Sequence, residues 1–405
     1  MRISDSYSKL EGGQLNIGAK LTWEDHPRPA EDIWFKVPGA ERNFELDFNA
    51  ALIACFPIAV YRGERRIALD GPVSPFLVDR LKELHAWWVS WGFARSPMPK
   101  IEPQTMKELR NHEATSWTSV GLLSGGVDSL HMLQQNLRNF AKDHRHRIDT
   151  TILVTGFDVD MDAEQEKAAY NMASECLSNI TRDAGVKLVQ VETNLRKLEP
   201  NLAFWSKFYH AAVLGSVSHA VIHGHGVSRV AAAFDIPHVV PWGSNPTVDP
   251  CFSTERVAII HEGIIFSRLD KVRDLATWPV AIENLRVCST IVPGYLNCGF
   301  CEKCVRTKLE LMAVGLEIPN TFKNRTMEAA QLPVFRIKYQ SSCYRDVVVP
   351  LKERGHDKLA KAIEQRLLLS PLLNAVKKAD EKWTGGNLTK TVRRIKPSAW
   401  QKSRM

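Results

Sequence analysis

The sequence predicts an α/β protein: an open parallel sheet covered on both faces by helices, with a small α+β domain before it and a helical extension after it. Three observations carry this. From about residue 115 to 310, short apolar, β-type runs alternate with stretches of helical periodicity, the pattern of βαβ units. The first of these strands runs into a glycine-rich turn, Ser124-Gly-Gly-Val-Asp-Ser129, that opens a helix. The 405 residues are 44% hydrophobic and 24% charged, enough for a buried core and two or three domains.

The first domain is expected at residues 1–110. Runs of β-type residues at 33–38 (IWFKVP) and 44–48 (FELDF) predict strands, and 67–69 a third before the Asp70-Gly71 turn. Ser74 followed by Pro75 gives a helix start. Phe76, Leu77, Leu81, Leu84, Trp87, Trp88 and Trp91 then recur at helical spacing up to Gly92. Those aromatics read as core rather than as a ligand surface. Pro97, Pro99 and Pro103 mark a linker.

The central domain is expected at 111–320. Strands are predicted at 118–123, 150–154, 186–191 and 229–234, and helices at 128–143, 162–184 and 205–222. Ala211, Ala212, Gly215 and Ser216 suit a closely packed helix. Right-handed crossovers place helices on both faces of such a sheet. Residues 321–405 read as a mostly helical extension with a basic tail.

Net charge is +8, and Lys390, Arg393, Arg394, Lys396, Lys402 and Arg404 of the tail supply six of those charges with no acid among them. The rest of the chain is close to neutral, so a uniformly basic nucleic-acid surface is not implied. The tail reads as a solvated terminus that could also touch RNA or an acidic protein. No secretory signal and no membrane span are expected, and the expected compartment is the cytoplasm.

The turn at 124–129 carries the chemistry. Gly125 and Gly126 allow close backbone approach and positive φ. Their N–H groups and the helix N-terminus form a concave anion site. Ser124 and Ser129 add hydroxyl donors, and Val127 completes the turn. Asp128 suits an N-cap or an aid to Mg²⁺. The Gly-Lys-Ser/Thr ending of a Walker A loop is missing.

Of eight cysteines, four crowd together at Cys288, Cys298, Cys301 and Cys304. In a cytosolic chain that spacing favours metal over disulfide. Four thiolates suit a closed, tetrahedral structural Zn²⁺ site. An iron–sulfur cluster is the rival.

The turn resembles the SGGxDS signature of the PP-loop ATP pyrophosphatases, the adenine nucleotide α-hydrolase-like superfamily. With C-x9-C-x2-C-x2-C after it, residues 118–310 look like 7-cyano-7-deazaguanine synthase and its relatives. The resemblance implies ATP held by Ser124, Gly125, Gly126, Val127, Asp128 and Ser129, with Asp128 and Ser129 serving catalysis. It implies zinc on the four cysteines. It also implies adenylation of a substrate carboxylate, release of pyrophosphate, and amide or nitrile formation with ammonia or an amine. The first and last domains are not part of the compact synthase. Gly243-Ser-Asn-Pro-Thr-Val-Asp249-Pro stands where its substrate segment cannot be matched, so the acceptor is expected to be a deazapurine, a related molecule, RNA or protein.

Parallel sheets bind ligands at the carboxyl ends of their strands. Candidates for that edge are Asp158, Asp160, Asp162, His223, His225, Ser244, Asn245 and Asp249. Arg268, Lys271, Arg273, Lys303 and Arg306 are candidates for stabilising phosphate charge. Sulfur transfer, with Cys176 or Cys251 as carrier, and an ATP-binding subunit of a larger assembly are the alternative functions. A homo-oligomer or an operon-encoded partner fits either.

Overall fold

The computed structural model describes residues 1–38, 44–95, 97–106, 117–157, 163–288, 290, 292–332 and 341–384. The chain divides into two compact units. The first holds residues 1–124, 128–170 and 177–265; the second holds 125–127, 171–176 and the chain from 266 onward.

The first unit contains, in chain order, β1 (Arg2–Glu11), β2 (Gln14–Thr22), β3 (Glu31–Pro38), α1 (Phe48–Arg62), β4 (Arg66–Val73), α2 (Pro75–Ser90) and β5 (Lys100–Met106). There follow β6 (Trp117–Leu122), α3 (Val127–Asn139) from its second residue on, β7 (Thr150–Thr155), α4 (Ala163–Ala184) apart from residues 171–176, β8 (Lys187–Thr193), α5 (His210–Val221), β9 (His225–Ala231) and β10 (Val257–Glu262). All ten strands form one sheet in the order β10-β9-β6-β7-β8-β3-β2-β1-β4-β5. The five strands from β10 to β8 run parallel. β8–β3, β3–β2 and β2–β1 are antiparallel, and β1–β4 and β4–β5 are parallel again.

The parallel half decides where chemistry can sit. From β6 the chain steps to β7 and β8 on one side, then returns to place β9 and β10 on the other. The reversal lies between β6 and β9. In open α/β sheets the carboxyl ends beside such a reversal form a crevice, because the flanking loops leave in opposite directions.

α1 has no polar face: Phe48 to Val60 are all buried. A helix apolar all round belongs in a core. The Asp47 carboxylate accepts the Asn49 N–H at its start, and Gly63, at φ 76°, ends it. α5 packs on it through small residues, close enough for Ser216 Oγ to donate to the Ala50 carbonyl at 2.7 Å. In α2, Ser74 caps the helix as its sequence predicts, Trp88 is buried, and Trp87 stays exposed.

Several expectations need correction. Residues 44–48 are not a strand; Phe44 to Asp47 lead into α1, whose apolar run hides any period. Pro103 does not sit in a linker but in β5, paired with Leu69. β5 is the edge strand, where a missing N–H costs nothing. The fourth parallel strand begins at His225, four residues earlier than expected. The helix expected at 205–222 opens with one π-helical turn, Trp205–Tyr209. The N-terminal strands extend the same sheet, because β3 pairs with β8. The boundary expected near 110 falls outside the described residues.

The second unit is helical: α6 (Arg268–Leu275), α7 (Glu302–Val314), short helices at Ser341–Asp346 and Val348–Glu353, and α8 (Asp357–Thr384). Leu269, Val305, Leu309, Tyr344, Leu351 and Ile363 lie in its core. Among the described residues, no helix is long and apolar enough to cross a membrane.

Candidate functional site

β6 ends at Leu122 and α3 begins at Val127, so Ser124-Gly-Gly-Val-Asp-Ser129 is the turn between them. It therefore stands at the carboxyl end of β6, beside the reversal in strand order. The Leu123 amide still bonds to the Ile152 carbonyl of β7, at 2.8 Å. Gly125 takes φ 79°, a conformation that side chains oppose. The buried Ser129 Oγ lies 3.3 Å from the Ser124 amide and 3.2 Å from Ser124 Oγ, closing the turn on itself. Ser124 itself is exposed.

Asp128 is not the cap of α3. It is the second residue of the helix, half-buried in the first turn. A carboxylate there complements the positive end of the helix dipole.

The second site is the cysteine cluster. The sulfurs of Cys288, Cys298, Cys301 and Cys304 all lie within 4.8 Å of one another. Cys288 Sγ is 3.5 Å from Cys298 Sγ and 3.5 Å from Cys301 Sγ, and Cys298 Sγ is 3.8 Å from Cys304 Sγ. Four sulfurs at 2.3 Å from one zinc ion stand about 3.8 Å apart at the corners of a tetrahedron. The donor set thus fits a single metal ion such as zinc. A four-iron cluster interposes several ions and spreads its ligands further.

The loop backbone supports this geometry. The Phe300 and Cys301 amides point at Cys298 Sγ, at 3.4 and 3.3 Å, and the Thr290 amide at Cys288 Sγ, at 3.2 Å. Gly299, at φ 78°, lets the knuckle turn; a Cβ there would lie 2.4 Å from the Asn324 carbonyl oxygen. Hydrogen bonds with Cys298, Cys301 and Cys304 hold the Cys288 thiol well below the ordinary range. Those with Cys288, Cys298 and Cys301 push Cys304 far above it. Sulfurs this close cannot all ionise without a cation between them.

Sequence reasoning missed Asn297, whose only signal is its place before Cys298. It is fully buried. Its Oδ1 accepts the amides of Val287 and Cys288, at 2.8 and 3.2 Å. Its Nδ2 donates to the Leu285 carbonyl at 2.8 Å and to Thr321 Oγ1 at 3.3 Å. One side chain thereby pins the segment carrying Cys288 against the one carrying Cys298.

The other candidates separate. Asp249 is fully buried, and its Oδ2 accepts from Ser244 Oγ at 2.9 Å and faces His261 Nδ1 at 2.7 Å. It organises the loop between β9 and β10. Asn245 Oδ1 accepts the amides of Thr247 and Val248, so Asn245 shapes the same loop. His223 and His225 do not lie at the carboxyl edge. They precede or open β9, at its amino end. His223 stacks on Phe44 with ring centroids 3.6 Å apart. Burial lowers its pKa to about 4. Arg268 pairs with Glu310, Arg273 with Asp270 and Arg306 with Glu302, so these cations already face carboxylates. Lys271 is buried and Lys303 exposed. Asp158, Asp160, Asp162 and the basic tail lie outside the described residues.

Compared with known proteins, the chain matches no protein-family model, no curated protein and no solved structure.

Proposed function

We propose that the protein is an ATP-consuming enzyme of the PP-loop kind. It would adenylate a carboxylate or carbonyl oxygen, release pyrophosphate, and form an amide or nitrile on a 7-deazaguanine-like or related substrate. The observation that carries the reading is the place of the turn. Ser124 to Ser129 stand at the carboxyl end of β6, where the order of the parallel strands reverses. A phosphate chain at that edge meets backbone N–H groups, two hydroxyls and the positive end of α3.

The chain's residues divide the work. Gly125 and Gly126 let the backbone approach the anion. Ser124 is exposed, and its hydroxyl would meet a phosphate oxygen, while Ser129 holds the turn closed. Asp128 would help to hold Mg²⁺, with ATP as substrate. The cysteine site would hold Zn²⁺ structurally, since four thiolates leave no open position.

Sulfur transfer has less support. A carrier cysteine must reach its thiolate form. Burial raises the pKa of Cys251 to about 12 and also raises that of Cys176.

The test is a pyrophosphate-release screen with ATP and Mg²⁺. It compares 7-carboxy-7-deazaguanine plus ammonium with 7-cyano-7-deazaguanine, RNA and protein acceptors. Pyrophosphate and AMP with one acceptor class is the expected result. Release of phosphate and ADP would sink the adenylation reading.

A further inference from the structure

Lys308 is fully buried on α7, four residues after Cys304. Positions i and i+4 share a helix face, so its ammonium rises from the side that carries the cysteine. Its Nζ donates to Asn324 Oδ1 at 3.2 Å, the Thr326 carbonyl at 2.6 Å and Gln331 Oε1 at 3.2 Å. All three acceptors are neutral. Among the described residues, no carboxylate lies within 4 Å of it. Residues 333–340, Pro-Val-Phe-Arg-Ile-Lys-Tyr-Gln, contain no acid.

A buried cation held only by neutral acceptors is costly. Charge balance must come from elsewhere in its surroundings. Burial draws its pKa down to about 8, and the sulfurs of Cys304, Cys298 and Cys301 act against that fall. Thiols or disulfides are neutral and would leave the charge uncompensated. A divalent metal on four thiolates is a dianion and compensates it.

We infer that Lys308 is the buried counter-ion of a metal–tetrathiolate centre at Cys288, Cys298, Cys301 and Cys304, and that its charge sets how firmly the metal is held. The inference rests on reading the four cysteines as a metal site. Lys308 is a positioning and charge-balancing residue; it does not ligate. Neighbours of this kind commonly change metal affinity about 10- to 100-fold.

The test compares the full-length wild type with Lys308→Gln, which keeps a hydrogen-bond donor without the charge, and Lys308→Arg, which keeps the charge. Each protein is loaded with Zn²⁺, and metal transfer to excess chelator is followed in time. Co²⁺-loaded samples report thiolate ligation through their absorption bands. Lys308→Gln should lose zinc at least about tenfold faster, with its cobalt bands retained but shifted, and Lys308→Arg should stay near wild type. If Lys308→Gln does not fold, Lys308→Met keeps the apolar stem and serves instead. Equal release from the uncharged variant and wild type overturns the counter-ion role. Equal loss in Lys308→Arg and Lys308→Gln overturns it too, since packing alone would then explain both. A wild-type protein that takes up neither zinc nor cobalt overturns the metal site itself, which is a distinguishable failure.

Discussion

The backbone amide of Arg286 donates to the carbonyl of Gly125 at 2.8 Å. Gly125 is the first glycine of the turn between β6 and α3, and Arg286 stands two residues before Cys288. A trans peptide points its C=O and N–H in opposite directions. Fixing the Gly125 carbonyl on Arg286 therefore also fixes the direction of the Gly126 N–H.

Removing that donor should disturb the turn and spare the metal. Arg286→Pro deletes the amide proton. Pyrophosphate release should fall by about tenfold or more, since one misaligned backbone donor costs that much at a charged centre. Zinc content, measured by atomic emission, should stay near one per chain. Unchanged turnover would remove the hydrogen bond from the chemistry.

Ser129→Ala should loosen the turn from the other side. It removes the hydroxyl that meets both the amide and the hydroxyl of Ser124. A drop of about 10²-fold in turnover is expected, with thermal stability within about 1 kcal/mol of wild type. Asp128→Ala should abolish turnover at unchanged zinc content. Full activity in either variant argues that the turn is not where ATP reacts.

Gly299→Ala should damage the metal centre specifically. The residue sits at φ 78°, and a Cβ would meet the Asn324 carbonyl oxygen at 2.4 Å. Backbone strain of this kind costs about 1–3 kcal/mol. The variant should melt earlier and lose zinc to chelator faster, while Gly294→Ala, whose added Cβ has nothing within 4 Å, should retain its metal. Both purified proteins should be colourless; a brown preparation would replace zinc by an iron–sulfur cluster.

Acid should destabilise the first unit through His223. Its folded pKa of about 4 lies below the usual 6.5 because burial disfavours the cation. The unfolded chain therefore binds a proton that the folded site refuses. This contribution to stability is intact above pH 6.5, declines as pH falls toward 4, and is flat below that. The loss should be about 1–3 kcal/mol, allowing for partial exposure. His223→Phe keeps a ring against Phe44 and should flatten that acid limb in urea titrations at pH 4 to 7. His219, whose pKa burial also lowers, leaves a residue of it. An unchanged limb would assign the acid sensitivity elsewhere.

What the sequence disclosed follows from how each segment is buried. β6, α3, β7, α4 and β8 were legible because strand-type runs and helical periods alternate there, with glycine between the first pair. α1 was not, because a helix buried on every side has no amphipathic period. β1 was hidden for the opposite reason: Arg2, Asp5, Ser6 and Leu10 of this strand face solvent, so its alternation is weak. Pro103 disguised an edge strand as a linker. At the cysteine cluster the four sulfurs were plain from spacing alone. Asn297 and Lys308 were not, because a polar residue's role there depends on contacts that only the folded chain brings together.

The antiparallel pairing of β3 with β8 carries a consequence for biosynthesis. Trp34 and Thr193 meet across that seam although 159 residues separate them. β3 leaves the ribosome early and must wait, with one edge unpaired, until the whole β6–β8 stretch has followed. During that interval it is a template for any other extended chain. Deleting residues 1–110 would create the reciprocal hazard, an uncovered edge on β8. Neither half of the sheet should be expected to accumulate in soluble form without the other.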